Sequence, residues 1–160
     1  MVKPPVRGGI EKERSRKVSK KVNCKGCEVC ALYKECKTPF LSGRGKGRSE
    51  IIFVAEAPGQ LEDERGEILC GPSGKVWQKA LKELNIENYY ALNVLQCRPP
   101  NNKTPTITQI KCCQGRFLED LESHISEGTI AIVLMGGTAL KAFDRLSRFH
   151  RLIEGNRINQ

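Results

Sequence analysis

The chain has 160 residues and carries 27 Lys and Arg against 18 Asp and Glu, a net charge of +9. That length suits one compact domain with a core of its own, and no apolar run approaches the roughly 18 residues of a membrane span. The start, Met1 to Gly9, lacks the apolar stretch of a secretory signal, so the sequence reads as soluble and intracellular, in the cytoplasm or the nucleoid or nucleus.

Residues 1–23 hold eight bases (Lys3, Arg7, Lys12, Arg14, Arg16, Lys17, Lys20, Lys21) and two acids (Glu11, Glu13), and so supply +6 of the +9. They read as a disordered basic arm that attracts a polyanion by releasing its condensed counterions, or as a merely solubilising tail. The charge permits nucleic acid without naming it. Residues 24–160 read as one domain.

Eight cysteines in an intracellular chain point to metal or iron–sulfur chemistry rather than disulfides. Cys24, Cys27, Cys30 and Cys36 are clustered, and that run alone offers four thiolates to a zinc ion. Next, Leu41-Ser-Gly-Arg-Gly-Lys-Gly-Arg-Ser49 reads as a loop without regular structure. Glu50-Ile-Ile-Phe-Val-Ala55 reads as a short buried strand running into the turn Glu56-Ala-Pro-Gly59. From Gly74 to Ile86 the apolar residues at 76, 77, 80, 81 and 84 form a helical stripe. Tyr89 to Leu95 is a second strand. Thr106 followed by Gln109 is a capping-box start, and the helix after it keeps Ile110, Phe117, Leu118, Leu121 and Ile125 on one face. Thr129 to Met135 is a third, fully apolar strand, and Gly136-Gly137 leads it into a helix from Thr138.

Strands alternating with helices predict an α/β fold, a three-layer α/β/α arrangement around a central parallel sheet. Ligands in such sheets sit beyond the carboxyl ends of the strands, here Glu56–Gly59, Asn93–Pro100 and Gly136–Thr138. Helical periodicity also separates two adjacent cysteines. Ile110, Cys113, Phe117 and Leu121 follow three- and four-residue steps, so Cys113 points inward, whereas Cys112 lies about 100° away around the helix. An inward thiol is often simply a small hydrophobe.

Glu56-Ala-Pro-Gly-Gln-Leu-Glu-Asp63, Gly66 to Gly74, and Asn93-Val-Leu-Gln-Cys-Arg-Pro-Pro100 with Asn102 and Pro105 resemble, in order and spacing, the motifs of family 4 uracil-DNA glycosylases. These are the iron–sulfur members of the uracil-DNA glycosylase superfamily, and the resemblance covers roughly residues 27 to 143. It implies base excision from uracil-containing DNA by a monomer with no membrane partner. It further implies a structural [4Fe–4S] cluster on Cys27, Cys30, Cys97 and Cys113, with Cys24 and Cys36 left over. A shifted ligand set or a zinc site remains open on spacing alone.

Breaking the N-glycosidic bond of uracil needs a carboxylate near the developing sugar cation and donors near the base oxygens. The resemblance assigns these roles to Glu56, at the end of the first strand, and Asn93, whose amide offers both a donor and an acceptor. Ala57, Pro58, Gly59, Glu62 and Leu69 join them as substrate-binding residues. Gly71, Ser73 and Gly74 could hold a DNA phosphate on backbone N–H groups at a helix start, with Arg98 nearby. The plain structural readings are a turn acid for Glu56, a solvated loop for Glu62 and Asp63, and an Asx turn for Asn93.

Two departures from the family pattern stand out. Leu69 occupies the place of a Phe that stacks on the extruded base. The family's His-Pro-Ser-type motif lies on a later strand, and the sequence ends at Gln160, about where the approach to that strand is expected, so the domain reads as incomplete at its C-terminus. Neither His124 nor His150 has that motif around it, and no catalytic histidine is assigned. Two other readings follow: a non-catalytic DNA-binding or replication-associated module on the same scaffold, and a zinc-stapled nucleic-acid protein using Cys24, Cys27, Cys30 and Cys36.

Overall fold

A computed structural model describes residues 25–144. The basic arm, Cys24 and His150 lie outside the described residues. The fold is mixed α/β around a four-stranded, mostly parallel sheet. In chain order the elements are helix α1 (Lys25–Cys30), strand β1 (Arg44–Gly45), β2 (Ile51–Ala55), α2 (Gln60–Arg65), α3 (Pro72–Glu83), β3 (Tyr89–Asn93), α4 (Ile107–His124), β4 (Ala131–Leu134) and α5 (Gly137–Asp144). Single 3-10 turns cover Leu32–Lys34 and Pro100–Asn102. The strand order is β1-β3-β2-β4, with β2 parallel to both β3 and β4.

The loop expected to lack regular structure contributes β1, whose two residues pair antiparallel with Ala91 and Tyr90. So short an edge pairing carries no hydrophobic alternation, which is why glycine and charge content conceal it. The sheet's fourth strand is therefore this antiparallel edge, and the sheet is not wholly parallel.

Side chains alternate across β2 and β3 and feed two separate cores. Ile52, Val54, Tyr90 and Leu92 pack with Ile110, Cys113, Phe117 and Leu121 of α4 and Ala139 and Ala142 of α5. Phe53 and Ala91 pack with Trp77 and Leu81 of α3, together with Ile68 and Leu69. Among the described residues the expected third strand is the outer one: Ile130 is 78% exposed and Val133 39%. Its apolar composition does not mark burial.

Helix α4 begins with the expected capping box. Thr106 Oγ1 accepts from the Gln109 N–H at 3.2 Å, and Gln109 Oε1 accepts from the Thr106 N–H at 2.9 Å. Such a cap contributes about 1 kcal/mol. Ile110, Cys113, Phe117 and Leu121 are its buried residues, as the periodicity requires.

Helix α3 starts two residues earlier than its apolar pattern suggests, with Pro72 in the first turn, and buries only Gly74, Trp77 and Leu81. Val76, Ala80 and Leu84 are exposed, so the stripe is narrower than the composition implies. A Cβ at Gly74 would overlap the Leu69 carbonyl. Glycine there lets the first turn of α3 rest on the backbone of Leu69, which itself adopts a left-handed φ of 52°. Gly26 does the same elsewhere, letting α1 touch the α4 backbone at Cys112.

Candidate active site

A cavity of about 430 Å³ opens at the carboxyl ends of β2 and β3. Glu56, Ala57 and Gly59 line it from the β2 turn, Asn93 from the last residue of β3, and Glu62 from α2. Leu69, Ser73 and Trp77 close it on the α3 side. The parallel register that pairs Ala55 with Asn93 sets Glu56 and Asn93 side by side at this end. Asn93 is 5% exposed, and the Val94 and Leu95 N–H groups continue the ladder to the Ala55 and Glu56 carbonyls at 2.9 and 3.1 Å.

The Glu56 carboxylate is held in place. Buried Thr138, in the first turn of α5, donates its hydroxyl to Glu56 Oε2 at 2.5 Å. Eighty-two residues separate the pair, so sequence reasoning did not connect them. A usable signal existed, because Thr138 ends the turn after the third strand, where ligands of parallel sheets collect.

Other expected site residues are placed differently from one another. Pro58 is fully buried beneath the turn and does not line the cavity. Glu62 lines it while bracing it, since Oε1 accepts the Gly71 N–H at 3.0 Å. That contact occupies the Gly71 N–H, one of the three donors expected at this helix start. Ser73 and Gly74 precede the first backbone bond of α3, from the Lys75 N–H to the Gly71 carbonyl, so their N–H groups remain directed out of the helix start. Asp63 faces away from the cavity: its carboxylate accepts from the N–H groups of Thr38 at 2.7 Å and Lys37 at 3.1 Å. Arg98 donates from Nε to Asn102 Oδ1 at 2.7 Å and lies 3.9 Å from Asp63, which makes it a brace beside cavity-lining Asn102. His124 stacks on Tyr90 and bonds to the Asp120 carbonyl, clear of the cavity. Trp77 and Met135 line the cavity without having been singled out as site residues from sequence, and Asn102, named there only as part of a motif, lines it too.

The second constellation is a nest of thiols. Cys27, Cys30, Cys97 and Cys113 all line one small pocket, walled by Leu32, Phe40 and Leu95. Three of these sulfurs accept N–H bonds: Cys27 from Arg116 Nε at 3.2 Å, Cys97 from the Phe40 N–H at 3.5 Å, and Cys113 from the Gln96 N–H at 3.5 Å. Arg116 in turn lies over the Phe40 ring, 4.4 Å from its centroid. Burial pushes the Cys113 thiol up to about 12 and raises Cys30 as well. A hydrogen bond with Cys36 raises Cys97 and lowers Cys36, with burial pushing both upward. Cys112 also lines the space, because α1 docks along that side of α4; the 100° offset does not take it out of the nest. Among the described residues, no three His, Cys, Asp or Glu donors converge as a ready ligand set.

The sequence model of the Uracil DNA glycosylase superfamily matches residues 42–158. The chain is similar to the Type-4 uracil-DNA glycosylase of Archaeoglobus fulgidus, 40% identical over 99 residues that make up 61% of this chain and 49% of the relative. It is similar to the Type-4 uracil-DNA glycosylase of Thermotoga maritima at 37% over 121 residues, 74% of this chain and 61% of the relative. The enzyme of the same name from Pyrobaculum aerophilum is 32% identical over 118 residues, 72% and 60% of the two chains. The chain thus spans about half to three-fifths of the length of these curated relatives.

Proposed function

This chain belongs to the Uracil DNA glycosylase superfamily, and from that premise we propose that it hydrolyses the N-glycosidic bond of uracil in DNA as a type-4 enzyme with a structural [4Fe–4S] cluster. One observation carries the reading: Glu56, fixed by Thr138, and Asn93 face a single cavity large enough for a base at the carboxyl ends of two parallel strands. We read the sheet as the middle layer of an α/β/α sandwich that acts as an intracellular monomer on uracil-containing DNA.

A base inside a duplex has to be extruded before its sugar bond can be reached. Asn93 then meets the Watson–Crick edge of the base with its donor and acceptor. As the bond between the sugar C1′ and the uracil nitrogen breaks, the electron pair leaves with the base and positive charge grows on the sugar. The Glu56 carboxylate stabilises that charge and orients the water that adds to C1′, and the proton this water gives up neutralises the departed uracil anion. Thr138 keeps the carboxylate aimed, so little reorganisation is needed during reaction. The Ser73 and Gly74 N–H groups take a flanking phosphate, and Arg98, braced by Asn102, is a further candidate for a phosphate contact. Ala57 and Gly59 let the DNA approach the turn closely, on a base set by Pro58.

The thiol nest fits a cluster by the chemistry of its donors. Five cysteines, the four expected ligands and Cys112, line one apolar-walled space, and three of the sulfurs already accept N–H bonds of the kind that compensate thiolate charge. The ligands would be Cys27, Cys30, Cys97 and Cys113, drawing α1, the segment after β3 and α4 into one unit. When bound, the cluster supplies a structural crosslink and no step of the hydrolysis.

The test is release of free uracil from an oligonucleotide with one deoxyuridine, by the protein as its gene encodes it. Retention of the base by protein that holds its iron overturns the enzymatic reading. Leu69 at the position of the stacking Phe favours a second reading, a non-catalytic DNA-binding module. That reading expects salt-sensitive DNA binding without excision, unchanged by Glu56→Gln.

A further inference from the structure

Arg116 stands one turn beyond Cys113 on α4, and it is the one charged side chain among the described residues that line the thiol nest. The residue is half-buried. Its Nε donates to the Cys27 sulfur at 3.2 Å, joining α4 to α1 across 89 residues of sequence. The guanidinium also lies over the Phe40 ring, 4.4 Å from the centroid, and the Phe40 N–H itself donates to the Cys97 sulfur at 3.5 Å. Its charge reaches Cys113 as well, where it favours the thiolate. Among the described residues no carboxylate forms an ion pair with it.

A half-buried cation is costly unless it faces negative charge. A thiol is neutral and offers Arg116 only a weak acceptor. Negative charge comes with a cluster, because four thiolates outnumber the positive charge of the usual iron–sulfur core and leave the whole assembly an anion. Burying that anion among apolar walls is costly in its turn, and the two costs offset one another where the charges meet. The backbone N–H groups of Phe40 and Gln96 aim dipoles at the sulfurs but carry no net charge. Arginine suits this place better than lysine, since it keeps its proton when buried and is more weakly hydrated.

We propose that Arg116 is the counter-charge of the iron–sulfur site, holding the anionic cluster through its Nε–H bond to the Cys27 ligand while the Phe40 ring fixes the guanidinium in place. The inference rests on the reading of the nest as a cluster site and goes beyond it by naming the residue that offsets the cluster's charge. A packing role on Phe40 needs only a long stem, so charge and packing can be separated by substitution.

Arg116→Met keeps a long stem beside Phe40 and removes both the charge and the N–H, whereas Arg116→Lys keeps the charge. The full chain and both variants are purified without air, and iron, zinc and visible absorbance are measured in each. An iron chelator should strip the Met variant roughly tenfold faster than the parent or more, in line with the loss of metal affinity when a ligand's hydrogen-bond partner is removed. Its midpoint potential should fall, because an added electron meets less positive charge and one hydrogen bond fewer at the sulfurs. Arg116→Lys should recover most of that potential, a readout that packing alone does not move. A Met variant with the parent's release rate and potential overturns the role of Arg116 and leaves the cluster standing. Faster release at an unchanged potential, with no recovery by Lys, makes Arg116 a packing residue and overturns the role equally. Zinc in place of iron in the parent overturns both the role and the cluster. If circular dichroism shows that Arg116→Met does not fold, Arg116→Gln takes its place under the same outcomes.

Discussion

The cavity beside Glu56 and Asn93 and the thiol nest lie only four residues apart along the segment from Asn93 to Cys97, yet they are built on opposite terms. In the cavity, a carboxylate and a backbone amide are each held by a side chain while the space itself stays open: Glu56 by Thr138, and the Gly71 amide by Glu62. In the nest, apolar walls surround sulfurs that burial pushes toward their neutral form, with N–H groups aimed at them. The first arrangement suits a ligand that comes and goes, because dipoles fixed in advance need not reorganise at each turnover. The second suits a resident that enters once, because protons must be displaced before thiolates can bind. Asp63 joins the two regions: its carboxylate holds residues 37 and 38, just past Cys36, while its helix carries Glu62 to the cavity.

The sharpest way to break this comparison is to remove a resident's ligand. Cys97→Ser should abolish iron binding and the brown colour of the purified protein, read by metal analysis after anaerobic purification. Zinc without iron in the parent protein would instead overturn the cluster. Glu56→Gln should leave iron content intact and lower the single-turnover rate of uracil release about 10²- to 10³-fold, the usual size of losing one preorganised electrostatic contact. Binding of uracil-containing DNA by that variant should stay near the parent's. If Glu56→Gln lost iron as well, the two regions would be one cooperative site and the contrast between them would fail.

The pH dependence of the metal-free protein sharpens the nest's side. The Cys113 thiol is pushed up to about 12 by burial from an ordinary 9.0, and Cys97 and Cys30 are also raised. The folded chain therefore keeps protons that the unfolded chain gives up above pH 9.0. Its stability is fully present below that value and is lost as pH rises toward 12. Urea unfolding across that window should show the decline, and Cys113→Val should flatten it. A parent protein equally stable on both sides of pH 9.0 would mean that the sulfurs reach solvent and that the nest is not dry.

Sequence made parts of both regions legible for different reasons. Cys113 could be told from Cys112 because α4 is long and strictly periodic, and Thr106 with Gln109 announced where it begins. Strand-end logic gave the segments that hold Glu56 and Asn93, the resemblance singled out the two residues, and the register does set them together. What sequence could not give was set by contacts distant along the chain. The Thr138–Glu56 bond joins residues 82 apart. Glu62 takes the Gly71 N–H across a loop, removing a donor that local pattern had reserved for phosphate. Pro58 and Gly59 are neighbours in one motif, yet one is buried and the other lines the cavity. Arg44–Gly45 pairs with β3 because that sheet edge is available, and nothing in its own composition says so.

The smallest expected effect concerns how the cavity is held rather than what it contains. Thr138→Val keeps the shape of a β-branched residue and removes the hydroxyl that donates to Glu56. A hydrogen bond to a charged group contributes about 1.5–3 kcal/mol. Water admitted by the open cavity can replace part of it, so the rate of uracil release should fall roughly tenfold, the low end of that range. Thr138→Ser restores the donor and should recover most of the rate. Iron content should be unchanged in both, because Thr138 touches the carboxylate and none of the sulfurs among the contacts found. A Val variant as fast as the parent would mean that Glu56 is positioned by substrate rather than by the protein. The cavity would then be assembled on binding, and its side of the contrast, dipoles fixed in advance, would fail.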